Sequence, residues 1–94
     1  MKITYILQIV SEITGVDIAE ITSKSKVENV VMAKRLFVEK AKKIGFTTIE
    51  IAEIMHVSAQ AVRNLNKSKE TRKLYKIFSQ KIEKIIANAA TQSE

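Results

Sequence analysis

Hydrophobic positions along this chain recur mostly at steps of three and four residues, the spacing of one face of an α-helix. The pattern predicts a first helix over residues 2–14, with Gly15 ending it. A very short second helix is predicted to start after Asp17, as its N-terminal cap, and to stop near Thr22. The polar and basic residues 22–26 are predicted to form a loop.

A long helix is predicted over residues 27–44, as the central element, and Gly45 is predicted to end it. After a polar break at residues 67–70, a final helix is predicted over residues 71–89, closing the core from the far side. Its apolar stripe consists of Leu74, Tyr75, Phe78, Ile82, Ile85, Ile86 and Ala89. We expect the tail, residues 88–94, to fray.

Residues 47–67 predict two short helices joined by a tight turn. Thr47 and Glu50 have the spacing of a capping box for the first helix, and Ser58 can cap the second. His56 stands where such a turn commonly needs a left-handed backbone, so we interpret this single histidine as a turn residue rather than a ligand. The apolar positions suit two helices packed at a steep angle: Ile51, Ala52, Met55, Val57, Val62 and Leu65. This spacing is typical of a helix-turn-helix.

The composition favours a single all-α domain over residues 1–94, with about six helices, because 94 residues include no proline and two glycines. The absence of cysteine excludes disulfides and thiolate chemistry and fits the reducing cytoplasm. Polar residues interrupt the apolar N-terminal run at a helical period, which indicates a folded helix rather than a signal peptide. No stretch is long and apolar enough to span a bilayer, so we expect no membrane partner.

The net charge of +6 is unevenly distributed. Residues 1–62 carry eight Lys or Arg and seven acidic residues, whereas residues 63–94 carry eight and three. Charge alone is as typical of a solvated lysine face as of a polyanion-binding surface. Combined with a helix-turn-helix, it predicts double-stranded DNA as the partner.

The outer face of the second short helix carries residue types that hydrogen-bond base edges in the major groove. Gln60, Arg63 and Asn64 are predicted to contact bases there. Phosphate contacts are predicted for Lys24, Lys26, Lys34, Arg35, Thr48, Ser58 and Lys67.

Five basic residues stand near the two ends of the long helix. Lys34 and Arg35 lie near its start, where positive charge opposes the helix dipole, so phosphate contact is the preferred interpretation for them. Lys40, Lys42 and Lys43 lie near its end, where the dipole favours positive charge and explains them without a ligand.

Catalytic chemistry is not indicated by any pattern in the chain. No paired carboxylates, metal-ligand cluster or nucleophile with an adjacent base stands out. We therefore expect no enzyme activity, no cofactor, no metal and no small-molecule substrate.

The order of these parts resembles the C-terminal DNA-binding domain of the bacterial replication initiator DnaA, over residues 3 to about 86. The segments that carry the likeness are VSEITGV, EITSKSK, AKRLFVEKAKKI and TTIEIAEIM. Individual matches are Ser23 and Lys24 with the family's SK, Lys26 and Lys34 with its arginines, and Glu50 and Ile51 with its PEIG segment. The resemblance implies a Trp-repressor-like fold that binds double-stranded DNA through a helix-turn-helix and a basic loop.

The chain departs from the family at two places. Where the family has Asp-His-Thr-Thr at the start of the recognition helix, this chain has Ser58, Ala59, Gln60 and Ala61, so the family's base contacts do not carry over. Glu28 stands where the family loop has a minor-groove arginine, and its charge would repel phosphate.

Two functions remain open from the sequence. The first is sequence-specific DNA binding, in transcriptional regulation or in replication or mobility of a genetic element. The second is a protein-interaction module that retains the fold without binding DNA. The pattern does not decide between a monomer and a homodimer.

Overall fold

The computed structural model describes residues 1–67 and 72–92, with side chains as far as residue 89, and this part of the chain contains six helices and no strand. The helices are α1 (Ile3–Thr14), α2 (Ile18–Ile21), α3 (Glu28–Ile44), α4 (Thr48–Met55), α5 (Ala59–Lys67) and α6 (Lys73–Gln92). The prediction of one compact all-α domain with about six helices is confirmed. None of the described helices combines the length and apolar character needed to cross a membrane.

The C-terminal end differs from the prediction. Helix α6 continues to Gln92 instead of ending at residue 89. Fraying of the tail stays a prediction. Residues 93–94 of the predicted tail lie outside the described residues. Residue 71, the predicted start of this helix, and residues 68–70 of the predicted break also lie outside them.

Glycine and capping residues set the helix ends much as predicted. Gly15 adopts a left-handed conformation with φ 74° and donates its amide to the Ser11 carbonyl, which ends α1. The Glu50 amide donates to Thr47 Oγ1 at 3.1 Å and the Thr47 amide donates to Glu50 Oε1 at 3.3 Å, so the capping box of α4 is formed. Asp17 occupies the N-cap position of α2, but its side chain accepts no capping hydrogen bond there.

Helix α3 is the centre of the fold, because it packs against all five of the other helices. Leu36, Phe37 and Val38 are completely buried at consecutive positions, so nearly the whole circumference of α3 is covered in its middle. Ala33 and Ala41 are also completely buried, and their small side chains let neighbouring helices approach closely.

Part of the predicted apolar stripe of α6 lies outside the core. Tyr75 and Ile82 are buried, as predicted, and Phe78 packs against the core from its edge. Leu74, however, is 50% exposed. Adjacent helical residues point about 100° apart, so with Tyr75 facing the core Leu74 is turned to the edge of the buried face.

Lys40 is not the exposed helix-end charge that the sequence predicts. It is completely covered, and its Nζ atom contacts Glu39 Oε1 at 3.0 Å, Ser79 Oγ at 2.6 Å and Glu83 Oε1 at 3.0 Å. Lys43 reaches the same Glu83 oxygen from the surface at 2.5 Å. The network joins α3 to α6 and neutralises the buried ammonium, which would otherwise be strongly destabilising.

The same network shifts the pKa values of Glu83 and Lys43. Hydrogen bonds from Lys43 and Lys40 hold the pKa of Glu83 below its usual value. The hydrogen bond to Glu83 raises the pKa of Lys43. On the other side, the Tyr75 hydroxyl donates to Glu39 Oε2 at 2.5 Å, which adds a second polar link between α3 and α6.

We predict that Glu83→Gln lowers the free energy of unfolding by about 1 to 2 kcal/mol at neutral pH, because it removes an ionised acceptor from Lys40; partial exposure of Glu83 keeps the loss small. A depressed pKa in the folded state means that this stabilisation is present above the ordinary glutamate pKa and is lost as the pH falls through the depressed value. The difference between wild type and variant should therefore shrink in acid, as measured by urea unfolding at a series of pH values.

Glu12→Gln is the matched control, since it removes an exposed carboxylate from α1. It should change stability little at any pH. A Glu83→Gln loss that stays constant from neutral to acidic pH would contradict the assignment of the effect to ionised Glu83.

Candidate nucleic-acid interface

Helices α4 and α5 are joined by a turn whose geometry follows the predicted residues. His56 adopts the left-handed conformation, with φ 57° and ψ 42°, and it is the one non-glycine residue with positive φ in the described ranges. The Val57 amide then donates to the Ala52 carbonyl at 3.1 Å. Ser58 Oγ accepts the Ala61 amide at 3.1 Å and so caps α5, as predicted.

Helix α5 is held against α3 and α4 along a narrow line of contact. Val62 is its one fully buried residue among those described and is completely covered. Val57 and Leu65 pack partly against the same core, in which Ile51 and Met55 of α4 are completely buried. Because so little of α5 enters the core, most of its circumference faces solvent.

The three predicted base-contacting residues share this solvent-facing side of α5. Gln60, Arg63 and Asn64 are all exposed, and Lys67 is exposed at the end of the helix. Gln60 Nε2 donates to Asn64 Oδ1 at 3.1 Å, one helical turn away. A carboxamide offers two N–H donors and an oxygen with two lone pairs, the kind of groups that bind the edge of a base.

A cationic groove separates this part of α5 from the loop at residues 22–27. Lys24 and Lys26 form one wall and are exposed, whereas Ala61 and Asn64 contribute to the opposite wall on α5. Lys34 and Arg35 of α3 lie between them. The described residues around the groove thus include four basic side chains and no carboxylate, and the loop and the outer face of α5 are neighbours.

Lys34 does not have the exposure that a phosphate contact requires. Its side chain is only 6% exposed, and its ammonium group donates to the carbonyl oxygens of Ser23 and Ser25, the latter at 3.0 Å. Burial lowers the pKa of Lys34. The prediction that Lys34 contacts phosphate is therefore not supported by this geometry, because its donors point into the loop.

The remaining predicted phosphate contacts differ in accessibility. Ser58 is exposed, although its hydroxyl already caps α5. Thr48 is half-buried, and its hydroxyl accepts a hydrogen bond from Lys42 Nζ at 2.7 Å. Arg35 is half-buried and lines the groove. The other three members of the predicted set, Lys24, Lys26 and Lys67, are exposed.

Glu28 has a structural explanation that the sequence did not indicate. It is 80% exposed and accepts a hydrogen bond from Arg72, which precedes α6. It also lies in the first turn of α3, where the helix dipole favours a negative side chain. Arg72 therefore partly offsets the charge that was expected to repel phosphate.

Comparison of the chain with protein-family models, with curated proteins and with solved structures finds no match. Among the described residues, no three His, Cys, Asp or Glu side chains are grouped so that they could hold a metal ion. The geometry and charge of this surface are therefore the observations that bear on its function.

We predict that His56→Gly raises the free energy of unfolding by about 0.5 to 1 kcal/mol, because glycine adopts the left-handed conformation without the steric penalty of a Cβ atom. His56→Val should lower it by about 1 kcal/mol or more, since a β-branched residue is strained there. Urea unfolding of both variants at one pH measures the two effects. Destabilisation by glycine would show that the imidazole makes a contribution beyond the backbone conformation.

Proposed function

We propose that this protein binds double-stranded DNA sequence-specifically through a helix-turn-helix formed by α4 and α5. The observation that carries the proposal is the position of Gln60, Arg63 and Asn64, exposed in one row beside a groove lined by basic side chains. We further propose a role in transcriptional regulation or in replication or mobility of a genetic element, with the cytoplasm as the compartment that follows from a DNA partner.

The dimensions of α5 suit the major groove of B-DNA. An α-helix with its side chains is about 10 to 12 Å across, and the major groove is about 12 Å wide. Arg63 has the fork geometry that binds guanine, and Gln60 and Asn64 carry the amide groups that bind adenine. Because these three side chains project from the solvent-facing side of α5, the helix can enter the major groove of DNA while Val62 stays packed in the core.

Phosphate contacts would flank the bases on both sides. Lys24 and Lys26 lie across the cationic groove from α5, and Lys67 lies at its C-terminal end. If these three lysines each neutralise one phosphate, the logarithm of the binding constant falls with the logarithm of salt with a slope of about −2.7.

We also propose a Trp-repressor-like domain similar to the C-terminal domain of DnaA. Support comes from the order of a short helix, a loop with Lys24 and Lys26, a long helix and the α4–α5 pair. The residues at the start of α5 differ from the family signature, so we propose that the chain reads a different DNA site.

Selection of bound sequences from a random duplex pool tests the proposal most directly. Enrichment of a defined motif is expected, and a palindromic motif would indicate a homodimer. If duplexes are bound but no motif is enriched, the binding is nonspecific. If no duplex is bound, the result favours a protein-interaction module.

Arg63→Ala is predicted to weaken binding to the selected site by about 1 to 3 kcal/mol and to weaken binding to random duplex much less. The reason is that a base contact distinguishes sequences, whereas a phosphate contact does not. Lys84→Ala, an exposed change on α6, is the control and should leave both affinities near wild type. Equal losses on both duplexes would make Arg63 a phosphate contact.

A salt titration of the unmutated chain with random duplex is predicted to weaken binding roughly forty-fold between about 50 and 200 mM salt, the change that three phosphate contacts produce. The Lys24→Ala/Lys26→Ala double variant should reduce the slope by about 1.8. A slope that the double variant leaves unchanged would exclude the loop from the interface. Near indifference of the unmutated chain to salt would instead favour an apolar protein interface.

A further inference from the structure

Two lysines in the described residues have buried side chains, and they are satisfied in different ways. Lys40 contacts the carboxylates of Glu39 and Glu83. Lys34 instead donates to two backbone carbonyl oxygens, those of Ser23 and Ser25. The ammonium group of Lys34 is therefore fixed to the backbone of the loop that carries Lys24 and Lys26.

The loop is also ordered by its own serines. The Ser23 hydroxyl donates to the Glu20 carbonyl at 2.6 Å and accepts the Ser25 amide at 3.1 Å. Ser25 Oγ accepts the Val27 amide at 3.3 Å. Serine and lysine alternate along the loop, and the half-buried serine side chains bond to backbone while the lysine side chains lie in solvent.

We infer that Lys34 is a positioning residue that holds residues 23–26 so that Lys24 and Lys26 meet the phosphates of bound DNA, an inference that rests on the proposed function. Without its ammonium group, two carbonyls that now face a buried cation lose their donor and turn toward water. The loop backbone then moves, and ordering it again on binding opposes association.

The geometry also separates this role from direct contact. Lys34 lines the cationic groove but is only 6% exposed, whereas Lys24 and Lys26, which line the same groove, are exposed. A phosphate could reach the Lys34 ammonium only after the loop had opened. If Lys34 contacted phosphate directly, its contribution to DNA affinity would not depend on Lys24 and Lys26. If it positions the loop, its contribution to affinity depends on those two lysines.

A double-mutant cycle measures this dependence. Lys34→Met, which keeps the buried stem and removes the charge, is combined with Lys24→Ala/Lys26→Ala, and affinity for a random duplex is measured at about 50 mM salt. Lys34→Met should weaken binding roughly tenfold when the loop lysines are present and less than about twofold when they are absent. Equal fold losses in both backgrounds would overturn the inference.

Lys43→Met is the matched control, because it makes the same chemical change on the surface of the same helix, away from the loop. It should leave affinity near wild type in both backgrounds. If Lys34→Met does not fold, as judged by circular dichroism and thermal melting, the same cycle is run with Lys34→Gln, which retains a shorter donor.

A second measurement reports on the loop without DNA. Amide hydrogen exchange at Ser25 and Val27 should accelerate roughly tenfold in the Lys34 variant, while exchange in the middle of α3 stays near wild type. Unchanged exchange in the loop would overturn the inference even if affinity fell. Failure of the unmutated chain to bind any duplex would refute the proposed function and the phosphate role of the loop with it, whereas binding with additive losses would refute only the role of Lys34.

Discussion

The burial of α3 is the constraint on which the rest of the structure depends. Its completely covered middle, with Leu36, Phe37 and Val38 all at 0% exposure, leaves few directions in which a polar side chain on this helix can reach water. Lys34 and Lys40 lie on either side of that segment, and each buried ammonium must find oxygen partners, because an unpaired buried charge destabilises by several kcal/mol. Lys40 finds them on α6, and Lys34 finds them in the loop before α3. The burial of α3 thus fixes two other parts of the fold, α6 through Lys40 and the loop before α3 through Lys34.

Helix α5, which is proposed to read DNA, has few buried residues, in contrast to α3. Whereas α3 is covered almost all round, α5 enters the core mainly through Val62, with Val57 and Leu65 at the margin. The capped start at Ser58 and the left-handed turn at His56 fix the direction in which α5 leaves α4. Direction is therefore set by backbone geometry and one buried side chain, so the residues on the free side of α5 are not constrained by packing. Substitutions on that side of α5 would therefore leave the packing of the surrounding helices intact.

Helix periods and local caps could be predicted because they depend on residues three or four apart. The capping box at Thr47, the glycine end at Gly15 and the left-handed His56 all belong to this class. The roles of Lys34 and Lys40 could not be predicted in the same way, since the dipole argument treats a lysine as a charge on a helix surface. Apart from Glu39, which is adjacent to Lys40, their partners lie 9 to 43 residues away in sequence. The pairing of Glu28 with Arg72 is likewise long-range. Exposure of Gln60, Arg63 and Asn64 agrees with the outward face deduced from periodicity, and their contact with bases stays a prediction.

The proposed interface divides affinity and specificity between two elements that the fold controls separately. The proposed phosphate contacts from the loop would be independent of sequence and need a fixed backbone, and the loop backbone is hydrogen-bonded to the buried Lys34 and to the alternating serines. Base contacts from α5 depend on which side chains project from its free face, and substitutions there leave Val62 and the core untouched. Under the proposed function, substitution at Gln60, Arg63 or Asn64 would change the DNA site without loss of nonspecific affinity. Loss of the loop lysines or of Lys34 would instead weaken binding to every DNA sequence alike.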